Sequence, residues 1–175
     1  LVQAREKAID ELQARGAHWL FVRWLADHYA VDTMGTSLTR QLVGTSLLGS
    51  ANVQAATGAT MSTMVPLWQL ANYLDNLPAF TPVEEKLQYP SWDFRYIYDT
   101  LNAQRPDLVS RPYPLRPDST TTGTYSRTGT LRGGSGRHLR ILQSAAAGGV
   151  DVMLARKSGE GFPDDRGVRF GVVRI

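Results

Sequence analysis

The chain has 175 residues, of which 42% are hydrophobic and 20% are charged, and it contains no cysteine. This composition is typical of one globular domain, alone or with a small appendage, and it excludes a disordered chain, disulfides and thiolate chemistry. The net charge of +3 is uneven, since residues 1–110 carry 8 Lys/Arg against 11 Asp/Glu and residues 111–175 carry 11 against 5. An arginine-rich strand surface explains the basic end most simply, and a patch for nucleic acid or lipid headgroups is the alternative.

The first third of the sequence is predicted to be helical. The segment "VQAREKAIDELQARG" places apolar residues at helical spacing and ends on Gly16, a residue type that often terminates helices. The next segment, "RGAHWLFVRWLADHYA" (residues 15–30), is apolar around nearly its whole circumference, which predicts a core helix with Trp19 buried. Its apolar run is shorter than the roughly 18–20 residues that cross a bilayer, and Arg23 interrupts it, so no membrane span is predicted. We expect Arg23 to pair with Asp27 across one helical turn.

Further helical segments are predicted before residue 104, each bounded by capping residues, glycine or proline. They are a helix capped by Thr36 or Ser37, one or two turns between residues 50 and 58, a helix over residues 60–77 that tolerates Pro66, and a short helix capped by Ser91 or Asp93 that ends near residue 102. A proline-punctuated loop separates the last two.

Beyond residue 104 the composition changes. Prolines and a Ser/Thr/Gly run over residues 105–124 predict an extended linker, after which apolar residues recur with a period of two. The segments "HLRILQ", "VDVML" and "VRFGVV" are predicted strands. The sequence therefore predicts an α+β fold: a mainly helical subdomain over residues 1–104, with about five helices, and a small antiparallel β subdomain of three to four strands over residues 125–175. So few strands are expected to lie on the helical part or to complete a sheet with another chain.

No catalytic, metal-binding or cofactor-binding residue is predicted. Zinc sites on helices use histidines four residues apart, whereas His18 and His28 are ten apart and His138 lies among the predicted strands. His18 is expected to be a buried, hydrogen-bonded ring, and the acidic pairs of the sequence are expected to be solvated. The glycine-rich "LRGGSGRHLR" precedes a strand and not a helix, so it is interpreted as a turn and not as a phosphate loop.

Aromatic and arginine side chains are the residues best suited to a contact surface. Core packing is an equally good interpretation for half of the aromatic residues in "YPSWDFRYIY". The candidate partner contacts are Trp92, Tyr96, Arg111, Arg116, Arg137 and Arg140.

The helical part resembles a known family. The segments "RGAHWLFVRWLADHYA", "LTRQLVGTSLLGSANVQAATGATMSTMVPLWQLANYLDN" and "LQYPSWDFRYI" are similar to the C-terminal helical region of secreted bacterial hyicolysin-like metallopeptidases, which resemble thermolysin-type zincins. The similarity covers about residues 12–102, and the matching residues are Arg15 to Phe21, Thr57, Gly58, Trp68, Tyr73 and Leu74. The family's zinc helix carries His-Glu-x-x-His, which this sequence lacks, so the resemblance transfers no catalytic residue.

We expect a non-catalytic accessory or structural subunit, derived from a metallopeptidase-like protein, that docks onto protein partners in a larger assembly. The alternative is the C-terminal portion of an active secreted zinc metallopeptidase whose His-Glu-x-x-His half is not in this chain. A basic-tail nucleic-acid binder is a weaker, third option. The chain opens on Leu1 with no targeting segment, so any such segment is expected either to have been removed or to lie outside the given sequence. We expect a periplasmic or secreted location, with association with a membrane-embedded complex as one option.

Overall fold

The computed structural model describes residues 2–121, 124–130, 135–144, 148–156, 159–162, 169 and 171–174, with side chains from residue 14 onward. The chain divides into two compact units, residues 1–94 and residues 95–175. The first unit contains helices α1 (Val2–Tyr29), α2 (Thr36–Val43), α3 (Gly49–Thr57) and α4 (Met61–Leu74), followed by a 3-10 turn over Glu85–Leu87. Helix α5 (Phe94–Gln104) begins at the boundary, and the second unit contains strands β1 (Asp118–Thr120) and β2 (Leu139–Ile141).

The predicted α+β fold with a three- to four-stranded antiparallel tail is wrong. The described residues contain five helices and one sheet of two parallel strands, in which Asp118 is opposite Leu139 and Thr120 is opposite Ile141. The parallel direction is compatible with the long connection over residues 121–138, because parallel strands need a crossover of a dozen or more residues. β1 also arises inside the predicted linker, where prolines and polar residues gave no strand pattern.

The predicted strand over residues 150–154 does not extend this sheet. Residues 150–154 form no strand, and Val150, Val152 and Leu154 stay 44–48% exposed. A period of two predicts an extended chain with one apolar face, but it does not specify a neighbour to hydrogen-bond with. The last predicted strand, residues 168–173, lies partly outside the described residues.

Helix α1 is continuous through Gly16, so the predicted break at this residue is wrong. A single glycine inside a helix costs only about 1 kcal/mol relative to alanine, and good helix formers surround it on both sides. None of the described helices is long and apolar enough to cross a membrane.

Helix α2 starts from a tight turn that brings it against α1. Gly35 has a φ of 75°, and a Cβ atom there would lie 2.6 Å from the Cβ of Ala26, so both backbone conformation and space require glycine. The carboxylate of Asp32 accepts hydrogen bonds from the N–H groups of Thr36 (2.9 Å) and Ser37 (2.6 Å). A hydrogen bond from the Ser37 side chain contributes most, followed by the bonds from the Ser37 and Thr36 N–H groups, to lowering the pKa of Asp32 to about 2. Asp32 therefore caps α2, and the predicted Thr36 or Ser37 caps are wrong.

The hydrophobic core of the described residues lies entirely within residues 1–94. Its largest side chain is Trp24, which has no exposed area. The buried hydrophobic residues come from α1, α2, α4 and the chain after α4, and are Trp24, Leu25, Ala26, Leu38, Met64, Trp68, Ala71, Leu74, Leu87, Tyr89 and Phe94. The predicted burial of Trp19 and His18 is wrong, because Trp19 is 49% exposed and His18 is also exposed.

Candidate protein-binding surface

A buried carboxylate holds the chain that follows α4. Asp75 has no exposed area, and its carboxylate accepts hydrogen bonds from the backbone N–H groups of Tyr89 (2.9 Å) and Phe94 (3.2 Å). A buried charge is tolerated only when it is paired or hydrogen-bonded, and bonds from backbone N–H groups to a carboxylate are among the strong ones. Asp75 therefore fixes residues 89–94 near the C-terminal end of α4.

The side chain of Tyr89 is held by α4 itself. The Trp68 indole Nε1–H donates to the Tyr89 hydroxyl at 2.8 Å, and this hydroxyl donates to the Asn72 Oδ1 at 2.6 Å. Trp68 and Asn72 are four residues apart, so they lie on the same face of the helix. The Tyr89 ring also meets the Phe94 ring edge to face, with centroids 4.8 Å apart. Tyr89 is thus anchored by its backbone, hydroxyl and ring.

Helix α1 holds the same segment. The Trp24 indole Nε1–H donates to the Lys86 carbonyl at 2.9 Å, and His28 Nε2 lies 2.9 Å from the Gln88 carbonyl. Because a carbonyl only accepts hydrogen bonds, Nε2 carries the proton in this contact. Burial lowers the pKa of His28, with a smaller contribution from Lys86, although the Gln88 bond and the carboxylates of Asp27 and Glu85 oppose the shift. The histidine is accordingly a neutral hydrogen-bond donor that joins α1 to the segment.

An ion pair on α1 adds a further contact. Arg23 Nε donates to the Asp27 carboxylate at 2.9 Å, which confirms the pair predicted from their spacing. The other oxygen of this carboxylate accepts a hydrogen bond from the Ser91 hydroxyl at 2.9 Å. Asp27 therefore connects α1 to the residue immediately before Trp92.

These anchors position an exposed pair of tryptophans. Trp92 meets Trp19 of α1 edge to face, with centroids 5.3 Å apart and an interplanar angle of 86°, and it stacks on Phe94 at 5.8 Å. Trp19 is 49% exposed, Trp92 is 38% exposed, and Val22, one turn from Trp19, is 37% exposed. We call Trp19, Val22 and Trp92 the tryptophan surface. An open cleft of about 300 Å³ lies beside Trp92.

The other candidate contacts lie in the second unit. Tyr96 is 69% exposed on α5, and Arg111, Arg116, Arg137 and Arg140 are all exposed. Arg137 Nε lies 3.5 Å from the Asp118 carboxylate, which also pairs with Arg127. At least one of the four candidate arginines thus already has an acidic neighbour within the unit.

A group of polar side chains lies where the end of α1 meets the 3-10 turn. A cleft of about 340 Å³ is lined by Asp27, His28, Glu84, Glu85 and Lys86. Within the described part of the chain, no three His, Asp or Glu side chains are arranged to hold a metal ion. The Ser91 hydroxyl donates to the Asp27 carboxylate.

Comparison with protein-family models, with curated proteins and with solved structures finds no match to this chain. The resemblance to hyicolysin-like metallopeptidases stays a prediction. The function is therefore argued from the contacts of the described residues.

Sequence reasoning missed the residues that position the tryptophan surface. Asp75 stands directly after a helix without charged residues, which is a weak sign of a carboxylate with a special role. Its partners lie 14 and 19 residues further along the chain, and no local pattern predicts such contacts. Of the predicted contacts, only Trp92 belongs to this surface.

Proposed function

We propose that this chain is a non-catalytic accessory or structural subunit that docks onto a larger protein assembly through the tryptophan surface. The observation that carries the proposal is the exposed contact between Trp19 and Trp92, held in place by buried hydrogen bonds. Tryptophan is among the residues that contribute most binding energy at protein interfaces, especially beside a cleft that a partner side chain can fill.

The rigidity of this surface supports a binding role. Trp92 belongs to a segment that Asp75, Tyr89 and Asp27 attach to two helices. A surface that is ordered before binding loses little conformational entropy when the partner arrives. Two exposed tryptophans are also an unfavourable use of surface unless a partner covers them.

The net charge of the part of the sequence that contains this surface favours a protein as the partner. Residues 1–110, which include the tryptophan surface, carry 8 Lys/Arg against 11 Asp/Glu. Nucleic acids and anionic lipid headgroups are bound through an excess of basic residues. The exposed arginines of the second unit offer additional contacts to acidic groups of the same assembly.

The proposed location and ancestry rest on the resemblance to secreted metallopeptidases. A protein of this descent would act in the periplasm or outside the cell, and its assembly would include a membrane-embedded complex. The alternative proposal is that the chain is the C-terminal portion of an active zinc metallopeptidase. The exposure of Trp19 on α1, within one of the segments that resemble the family, supports this alternative because the zinc-binding half would then cover the tryptophan surface.

Purification from native material tests the docking proposal. Tagged versions of the chain are expressed in the source cells as the unaltered protein, as Trp19→Ala/Trp92→Ala and as Phe162→Ala. Phe162 is 38% exposed in the other unit and matches the exposure of Trp92. We expect stoichiometric protein partners with the unaltered chain and with Phe162→Ala, and their loss with the double variant. Purification of the chain without any other protein in every case, or equal retention of partners by all three proteins, would contradict the proposal.

Metal analysis separates the two proposals. If the chain is part of a working peptidase, its reading frame encodes His-Glu-x-x-His upstream and the complete product binds about one zinc ion with three protein ligands. An accessory subunit is expected to purify without stoichiometric zinc and without peptide hydrolysis.

A further inference from the structure

Residues 41–63 form a second surface, which shares no residue with the tryptophan surface. From Gln41 to Leu74 the sequence contains no charged residue. Residues 41–63 all lie in the described part of the chain, and none of them is buried. Val43 and Leu48 are 83% and 84% exposed. Charged residues make up roughly a quarter to a third of well-behaved soluble surfaces, so this uncharged surface is unusual for a face that remains in water.

Helix α3 is the centre of the uncharged surface and is poorly covered. None of its described side chains, over Gly49–Thr57, is buried. A helix of nine residues is marginal in water without packing against an apolar face. Its ties to neighbours are few: the Asn52 amide donates to the Leu42 carbonyl at 2.8 Å, and the Thr57 hydroxyl contacts Met64 Sδ at 3.6 Å. Covering α3 would therefore stabilise it.

The absence of charge makes a second copy of the chain the best occupant. In a two-fold symmetric pair the same surface is present on both sides, so like charges near the axis would repel each other. The uncharged surface carries no such penalty, and it offers no charge by which a different partner would be steered or selected. Sixteen of its 23 residues are exposed, which approaches the about 20–30 residues per side that standard interfaces use.

We propose that two copies of this chain pair through residues 41–63, with Val43, Leu48 and the exposed face of α3 in the contact. Small residues on this face, such as Ala51 and Ala55, allow the backbones of the two helices to approach closely. The pairing is independent of the tryptophan surface, which stays available for the assembly proposed above.

Sedimentation equilibrium of the purified full chain tests this pairing. The variants are Val43→Lys/Leu48→Lys, Val43→Glu/Leu48→Glu and, as a control, Val31→Lys/Val83→Lys, which alters two valines that are 94% and 89% exposed outside the surface. All altered residues are highly exposed, so folding should be retained, and circular dichroism checks it. Trp19→Ala/Trp92→Ala is included because it should weaken partner docking and leave dimerisation unchanged.

We expect a dimer for the unaltered chain, for the control and for the tryptophan variant. The lysine and glutamate variants of Val43 and Leu48 should each raise the dissociation constant of the dimer at least about 100-fold, because like charges then face each other. An equimolar mixture of the lysine and glutamate variants should restore a mixed dimer. If the unaltered chain is a monomer at about 100 µM, a concentration at which interfaces of this size are formed, the proposal is overturned. A dimer that persists in the Val43 and Leu48 variants would overturn it as well. Binding of a monomeric chain to phosphatidylcholine vesicles, lost in the Val43 and Leu48 variants, would overturn the dimer proposal in favour of a membrane surface.

Discussion

The backbone N–H of Tyr89 donates a hydrogen bond to the buried carboxylate of Asp75 across 14 residues of sequence. This bond and that from Phe94 determine where the chain after α4 lies. All four tryptophans, Trp19, Trp24, Trp68 and Trp92, belong to residues 1–94, so tryptophan fluorescence reports on this unit alone.

Replacement of Asp75 should be strongly destabilising. Asp75→Ala leaves two buried backbone N–H groups without their acceptor, and each such group costs about 1–3 kcal/mol. We expect a loss of about 2–5 kcal/mol in the free energy of unfolding, measured by urea denaturation followed by tryptophan fluorescence. Glu84→Ala is the control, because Glu84 is an exposed acidic residue in the same unit. A loss with Asp75→Ala no larger than with the control would show that Asp75 does not anchor the segment.

The two tryptophans of α1, Trp19 and Trp24, should respond differently to replacement by alanine. Trp24→Ala should cost about 3–5 kcal/mol, because it opens a cavity in the core. Trp19→Ala should cost about 1–2 kcal/mol, since it removes a half-exposed ring and one edge-to-face contact. A fully buried Trp19 would instead cost about 3–5 kcal/mol, as expected for Trp24. Equal losses of unfolding free energy in the two variants would contradict the exposure of Trp19.

Stability should fall in mild acid through His28. Its pKa in the folded chain is below the ordinary value of 6.5, so the unfolded chain binds the proton first as the pH decreases. The contribution of neutral His28 is therefore complete above 6.5 and is lost as the pH falls from 6.5 through the lowered folded pKa.

The measurement is the thermal midpoint at about pH 7 and about pH 5. In His28→Gln an amide N–H can still reach the Gln88 carbonyl, and nothing titrates at this position, so the acid-dependent decrease should be smaller. His18→Gln changes an exposed histidine and should leave the decrease unaltered. Identical pH profiles for the unaltered chain and His28→Gln would show that the Gln88 bond and the carboxylates of Asp27 and Glu85 offset the effects of burial and of Lys86.

Two glycines with positive φ should differ in their tolerance of alanine. Gly35→Ala meets both a left-handed backbone, at about 1–2 kcal/mol, and a clash with Ala26 on α1, at about 1–3 kcal/mol. Gly58→Ala meets the same backbone cost only, because nothing lies within 4 Å of its added Cβ. We expect the free energy of unfolding to fall by about 2–5 kcal/mol in the first variant and about 1–2 kcal/mol in the second. Equal losses would mean that α1 and α2 can separate to admit the methyl group.

The sequence predicted the features that depend on residues close together in the chain. The helical nature of residues 1–104 and the Arg23–Asp27 pair follow from spacing at three and four residues. Residues 15–30 are apolar on nearly every side, so periodicity could not distinguish buried Trp24 from exposed Trp19. The difference in burial between the two tryptophans depends on the segment around Trp92, which contacts α1 although it lies far from α1 in the sequence.

The sheet and the anchoring of the tryptophan surface could not be predicted for a related reason. Alternation marked residues 139–141 as a strand, but it contained no information about the partner β1 or the parallel direction of pairing. Asp75 and Asp32 both act on backbone N–H groups, which are the same for every residue type except proline. Such contacts leave no mark on the sequence of the partner.

The lack of lysine and arginine between Arg40 and Lys86 has one practical consequence. Trypsin cleaves after lysine and arginine, so digestion leaves the whole of α3 and α4 within a single peptide that runs from Gln41 to Lys86. Amine-reactive cross-linkers likewise find no lysine before Lys86 in this stretch. Mass-spectrometric mapping with trypsin would therefore give little detail on residues 41–63, the surface that we expect a second copy to cover. Hydrogen–deuterium exchange with pepsin digestion is the method that can resolve this region.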